Sequence, residues 1–95
     1  MSAINKEVTA IVLGRRFFID LWGILGIIPM PCEDPLELPR ILPEILSRKN
    51  IGCVMVEDQW FRQLPLPLKE KLEEMESPLW VSLPTLSIEE ESYEQ

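Results

Sequence analysis

The sequence predicts an α/β fold, a small four-stranded parallel sheet with helices on both faces. Two observations carry the prediction. Four short apolar runs, at 8–13, 27–30, 51–56 and 78–83, alternate with segments of helical pattern, the element order of a parallel sheet. The first and third runs, VTAIVL and IGCVMV, are apolar without alternation, as strands buried on both faces are.

Strand one, 8–13, is β-branched and closes on Gly14, where the chain turns into a helix. That helix is predicted over 16–25, with Gly26 as its C-terminal stop. It is apolar nearly all the way round, so it needs cover on two sides, whereas a one-striped helix needs cover on one. Strand two, 27–30 (IIPM), belongs at a sheet edge because Pro29 has no N–H to donate to a ladder.

Asp34 begins the second helical segment, with Pro35 at the first helical position and Glu37 placed for a reciprocal cap. Leu38, Ile41, Leu42, Ile45 and Leu46 form one apolar face, while Pro39 and Pro43 imply a distorted helix. Arg48, Lys49 and Asn50 end it. Strand three, 51–56, leaves the sheet at Glu57 and Asp58, a pair that reads as a helix cap. The region 59–76 splits at LPLPL into a turn at 60–64 and a helix at 67–75, whose inner face is Leu68, Leu72 and Met75. Strand four, 78–83 (PLWVSL), closes on Pro84. Right-handed crossovers leave few arrangements, and the expected order is 2-1-3-4, a doubly wound sheet of flavodoxin/Rossmann-like kind. A single domain is expected over 1–86, followed by an acidic, mobile tail at 87–95.

Composition narrows the function. The 95 residues carry 46% hydrophobic and 26% charged side chains and a net charge of −7. That balance argues against nucleic acid, which calls for a basic patch. The stretch 14–31 (GRRFFIDLWGILGIIPMP) holds Asp20 as its one ionisable side chain after the two arginines. Broken by Gly26, Pro29 and Pro31, it is too short to span a membrane, which takes roughly 20 apolar residues. No signal-peptide pattern is visible, so a cytoplasmic protein is expected. Cys32 and Cys53 read as small buried hydrophobes. With no histidine and no CxxC, neither a zinc site nor a histidine-based nucleophile is supported.

Ligands of this fold gather at the carboxyl ends of the strands. Gly14, Arg15 and Arg16 stand there after strand one, but a single glycine is no phosphate-binding loop. Asp58 ends strand three where a phosphoacceptor receiver domain carries its aspartate, yet the acidic residues such chemistry needs after strand one are Leu13, Gly14 and Arg15 here. The pattern is that of a binding module without catalytic residues, cofactor or metal. Its candidate partner interface is Arg15, Arg16, Phe17, Trp22, Ile24, Trp60 and Phe61, a basic pair with large apolar and aromatic anchors; burial under the third helix is the equal alternative for Trp60 and Phe61. Trp80 reads as core or sheet edge.

The motifs IVLG, Gly26-Ile27 twelve residues after Gly14, VMVED and PLWVSLPT, taken in order, resemble the F subunit of V-type and archaeal A-type rotary ATPases. That family reads a strand ending in I-G, an acidic turn, an apolar helix and G-I or G-F, then I-T-E after strand three and P with I-P-S around strand four. Gly14, Gly26, Glu57, Pro78 and Pro84 match those positions, and the resemblance covers 8–85. It implies a non-catalytic rotor subunit of a proton- or sodium-translocating ATPase or ATP synthase. Such a subunit sits in the central stalk on a coiled-coil D subunit, below the catalytic A/B hexamer and peripheral to the membrane. The acidic turn is replaced by Arg15-Arg16, and 86–95 stands where the family's glycine-containing loop and long C-terminal helix are expected. Regulation of the hexamer is therefore not expected. Isolated, the chain can cover its apolar patch with a second copy. The competing reading is a free-standing receiver-like or small-ligand regulatory domain.

Overall fold

The apolar runs become the strands of one parallel sheet in a computed structural model that describes residues 9–85. The strands are β1 (Thr9–Gly14), β2 (Ile28–Pro31), β3 (Ile51–Glu57) and β4 (Leu79–Leu83), in the order β2-β1-β3-β4. The predicted fold class, 2-1-3-4 with helices on both faces, is the one observed. β1 and β3 occupy the centre, where both faces of a strand are covered, and these are the two runs without alternation. The expected tail at 87–95, and Val8 of the first strand, lie outside the described residues.

Successive side chains of a strand leave on opposite faces, and the core divides accordingly. Ile11 and Leu13 of β1, with Val54 and Val56 of β3, enter the larger cluster. Val12 enters a smaller one, joined by Met55. The smaller cluster is covered by α1 (Arg16–Gly23) through Phe18 and Ile19. The larger is covered by α2 (Leu38–Ser47), α3 (Asp58–Arg62) and α4 (Leu66–Glu74), through Leu38, Leu42, Ile45, Trp60, Phe61 and Leu72. Among the described residues three helices therefore share one face and a single helix the other.

Several expectations change in detail. The first helix ends at Gly23 and finishes in a turn that runs to Gly26, whose φ of +89° favours glycine. The segment after Asp34 opens as a 3-10 turn, Pro35–Glu37, before α2 begins. Asp34 accepts from the Leu36 N–H as expected of a cap, but Glu37 does not complete a reciprocal cap because its carboxylate pairs with Arg40. Glu57 gives no side-chain cap to α3 either, since its carboxylate is taken by Arg15. Asn50 closes the α2–β3 turn at φ 70°, a left-handed conformation that asparagine tolerates.

Trp60 and Phe61 do not form an interface. Trp60 is 2% exposed and Phe61 is buried beside it, because α3 lies flat on the larger cluster and turns both rings inward. The Trp60 indole donates to the Cys32 carbonyl at 2.8 Å, which gives a buried N–H its partner. Three helices on one face make room for both rings, an arrangement that chain order alone does not reveal. Trp80 is half-buried in the edge strand β4, against the larger cluster, in line with its reading as core or sheet edge.

Candidate partner-docking surface

The chain order reverses between β1 and β3, so the crevice at the carboxyl ends of these strands is where a doubly wound sheet holds its ligand. Here a salt bridge spans it. Arg15, the residue after β1, donates from Nε to Glu57 Oε1 at 2.8 Å and from Nη2 to Oε2 at 2.5 Å. Glu57, the last residue of β3, is 2% exposed. The hydrogen bond to Glu57 raises the Arg15 pKa, against a smaller opposing effect of burial. This two-pronged geometry holds α1 to the sheet at its first turn. Arg16 is exposed, and its backbone N–H is capped by Glu33 Oε2 at 2.8 Å, a carboxylate on the positive end of the helix. Asp58 pairs with Arg62 one turn along α3 at 2.9 Å.

Below that crest α1 offers an apolar flank. Phe17 is 58% and Ile24 81% exposed, and Leu21 and Leu25 are exposed with them. Trp22 is half-buried and packs on the small cluster, with its ring 6.4 Å from that of Phe18. Leu21, Trp22, Ile24 and Leu25 line an open depression of about 530 Å³. The Trp22 indole Nε1 is buried there without a hydrogen-bond acceptor among the described residues.

The direction of this flank follows from helix geometry. Gly23 faces Pro29 of β2, with 3.9 Å between the Pro29 Cβ and the place where a Cβ on Gly23 would be. Leu21, two residues earlier, lies about 200° round the helix from Gly23. It therefore looks away from β2, over β3 and β4. On that half of the sheet the registered rows Cys53–Leu79 and Met55–Val81 stand on the α1 face. Cys53, Met55 and Val81 are half-buried and Leu79 is 53% exposed. The apolar flank of α1 and these rows of β3 and β4 thus stand on the same side of the sheet.

Of the seven residues expected at an interface, Phe17, Trp22 and Ile24 lie together on or beside this flank, and Arg15 and Arg16 stand at its upper end. Trp60 and Phe61 belong to the core of the other face. Leu21 and Leu25 join the flank without having been expected there, although Leu21 falls at helical spacing between Phe17 and Ile24. The sheet floor was likewise unexpected, since only the strand order reveals it. Among the described residues no helix is long and apolar enough to cross a membrane. Cys32 and Cys53 are free thiols, and burial raises both pKa values.

No family model matches the chain, and no curated protein matches it by sequence. Among solved structures it is similar to the crystal structure of the F subunit of the V-type ATP synthase from Archaeoglobus fulgidus, with a TM-score of 0.65 and 22% identity. The likeness spans 81% of this chain and 98% of that one, and it shows that the two share a fold.

Proposed function

We propose that this chain is a non-catalytic central-stalk component of a V/A-type ion-translocating ATPase, the counterpart of the F subunit, peripheral to the membrane and bound to a coiled-coil D-like shaft. The observation that carries the reading is the apolar corner formed by the outer flank of α1 and the open half-face of β3 and β4. The fold shared with the archaeal F subunit supports it. The corner has the size of one helix. Two strands set about 4.8 Å apart offer a floor roughly 10 Å wide, and a helix with its side chains is about 10–12 Å across. Phe17, Leu21, Ile24 and Leu25 supply the anchors.

Co-expression with the long coiled-coil subunit encoded by the same genome tests this reading. The two chains are expected to elute together, and Leu21→Asp or Ile24→Asp is expected to separate them. Ile24 is 81% exposed, so Ile24→Asp should change the fold itself by no more than about 0.5 kcal/mol. A chain that ignores the coil overturns the proposal. So does a rise in melting temperature with magnesium and acyl phosphate or with nucleotide, which would mark a small-ligand domain.

A further inference from the structure

The two edges of the sheet are not alike. β2, at one edge, carries Pro29 and Pro31 at alternate positions, so two N–H groups are missing from the same side of that strand. β4, at the other, is the five-residue run LWVSL, with no proline inside it and no ionisable side chain from Pro78 to Thr85. An edge strand presents a row of free N–H and C=O groups, and proteins usually blunt it with charge, proline, a bulge or a covering segment. Among the described residues β4 has none of these, and it pairs with β3 alone.

We propose that the free edge of β4 joins the β4 edge of a second copy of this chain, antiparallel across a two-fold axis at Val81, giving a continuous eight-stranded sheet. A strand paired antiparallel with its own copy needs no second sequence, and the two-fold contact closes on itself. The register is set by the sequence. Pro78 and Pro84 stand three residues to either side of Val81, and neither can donate to a ladder. Pairing is therefore longest when Val81 faces Val81, and a slipped register loses bonds at once. Absence of charge along the edge lets two copies of net charge −7 approach there without direct repulsion. The contact is small. Five residues and their flanking side chains bury on the order of 300–400 Å² per partner, about half of a standard interface. The dimer is accordingly weak. A two-fold axis normal to the sheet leaves both α1 flanks on the same side; Val81 belongs to the docking floor as well as to this contact, so a variant on α1 is what separates the two.

Sedimentation equilibrium of the full chain tests it. The mass is expected to rise from 11.0 kDa in dilute solution toward twice that value at several hundred micromolar. Val81→Lys, which sets two ammonium groups against each other at the axis, should hold the chain monomeric, and Leu21→Asp should leave association unchanged. In a Cys53→Ser background, Val81→Cys should cross-link with its own copy under oxidised glutathione. Should Val81→Lys fail to fold, hydrogen exchange of the wild type decides, because the β4 amides not donated to β3 gain protection as concentration rises. A chain that stays monomeric, association that survives Val81→Lys or is lost in Leu21→Asp, no cross-link at Val81→Cys, or β4 protection independent of concentration overturns the proposal.

Discussion

Arg15 and Glu57 lie 42 residues apart in the chain and are joined by two hydrogen bonds at the point where a ligand would otherwise sit. Removing one member of a buried pair leaves the other without its partner, at a cost of about 3–5 kcal/mol when both are enclosed. Arg15 keeps 46% of its side chain in solvent, which lowers that figure. Urea unfolding of Arg15→Ala should therefore show a loss of about 2 kcal/mol, and the double variant Arg15→Met with Glu57→Leu should recover most of it, because apolar replacement of both partners is close to neutral. A loss as large in the double variant would mean that the pair itself, rather than the stranded carboxylate, supplies the stability. Cys32 is the second residue with a solution signature. Burial raises its thiol pKa, with the Glu37 carboxylate adding to the effect, and its Sγ donates to the Asp34 carbonyl. Below the unfolded thiol's pKa of about 8.5, both states keep the proton and stability does not change on its account. Above that value the unfolded chain releases its proton first, so stability falls as pH rises toward the folded pKa. Unfolding free energies from pH 7 to 10 should decline more steeply for the wild type than for Cys32→Ala; parallel curves would remove Cys32 from the account.

At the scale of the element, the legible features were those fixed by local chemistry. The buried strands β1 and β3, the cap at Asp34, and the inner face Leu68, Leu72, Met75 all follow from a few adjacent residues. What could not be read was how elements share space. Trp60 looks like an anchor until α2, α3 and α4 are found on one face, and Glu57 looks like a cap until β1 brings Arg15 beside it. The apolar excess of α1 was visible, but the flank it occupies depends on Gly23 lying against Pro29. α2 is a local case with a measurable consequence. Pro43 lies inside the helix and is exposed, so the N–H missing toward the Pro39 carbonyl is its main effect on the folded state. Pro43→Ala restores that bond and a good helix former, an advantage of up to about 3 kcal/mol. A looser unfolded chain takes back about 0.4–1 kcal/mol. A net gain of up to about 2 kcal/mol in chemical denaturation is expected, and a loss would show that the proline shapes a bend the packing needs.

A whole molecule of 95 residues buries only about 60–65% of its unfolded surface, and among the described residues no helix covers the β3 and β4 half of the α1 face. Its stability is accordingly expected to depend on what covers that face. Any chain that binds the folded state alone stabilises it by RT ln(1 + [L]/Kd), about 2.7 kcal/mol at a hundredfold excess over Kd. For a domain of this size 1 kcal/mol moves the melting temperature by roughly 4–8 °C, so saturation with the coiled-coil partner should raise it by about 10–20 °C. Ile24→Asp separates this linkage from an unspecific effect. Alone, the variant should melt within about 4 °C of the wild type, since Ile24 is 81% exposed. With the coil present, it should show none of the rise. Scanning calorimetry of the four samples gives the answer. A rise that persists in Ile24→Asp would move the docking surface away from α1, and no rise in the wild type would overturn the linkage.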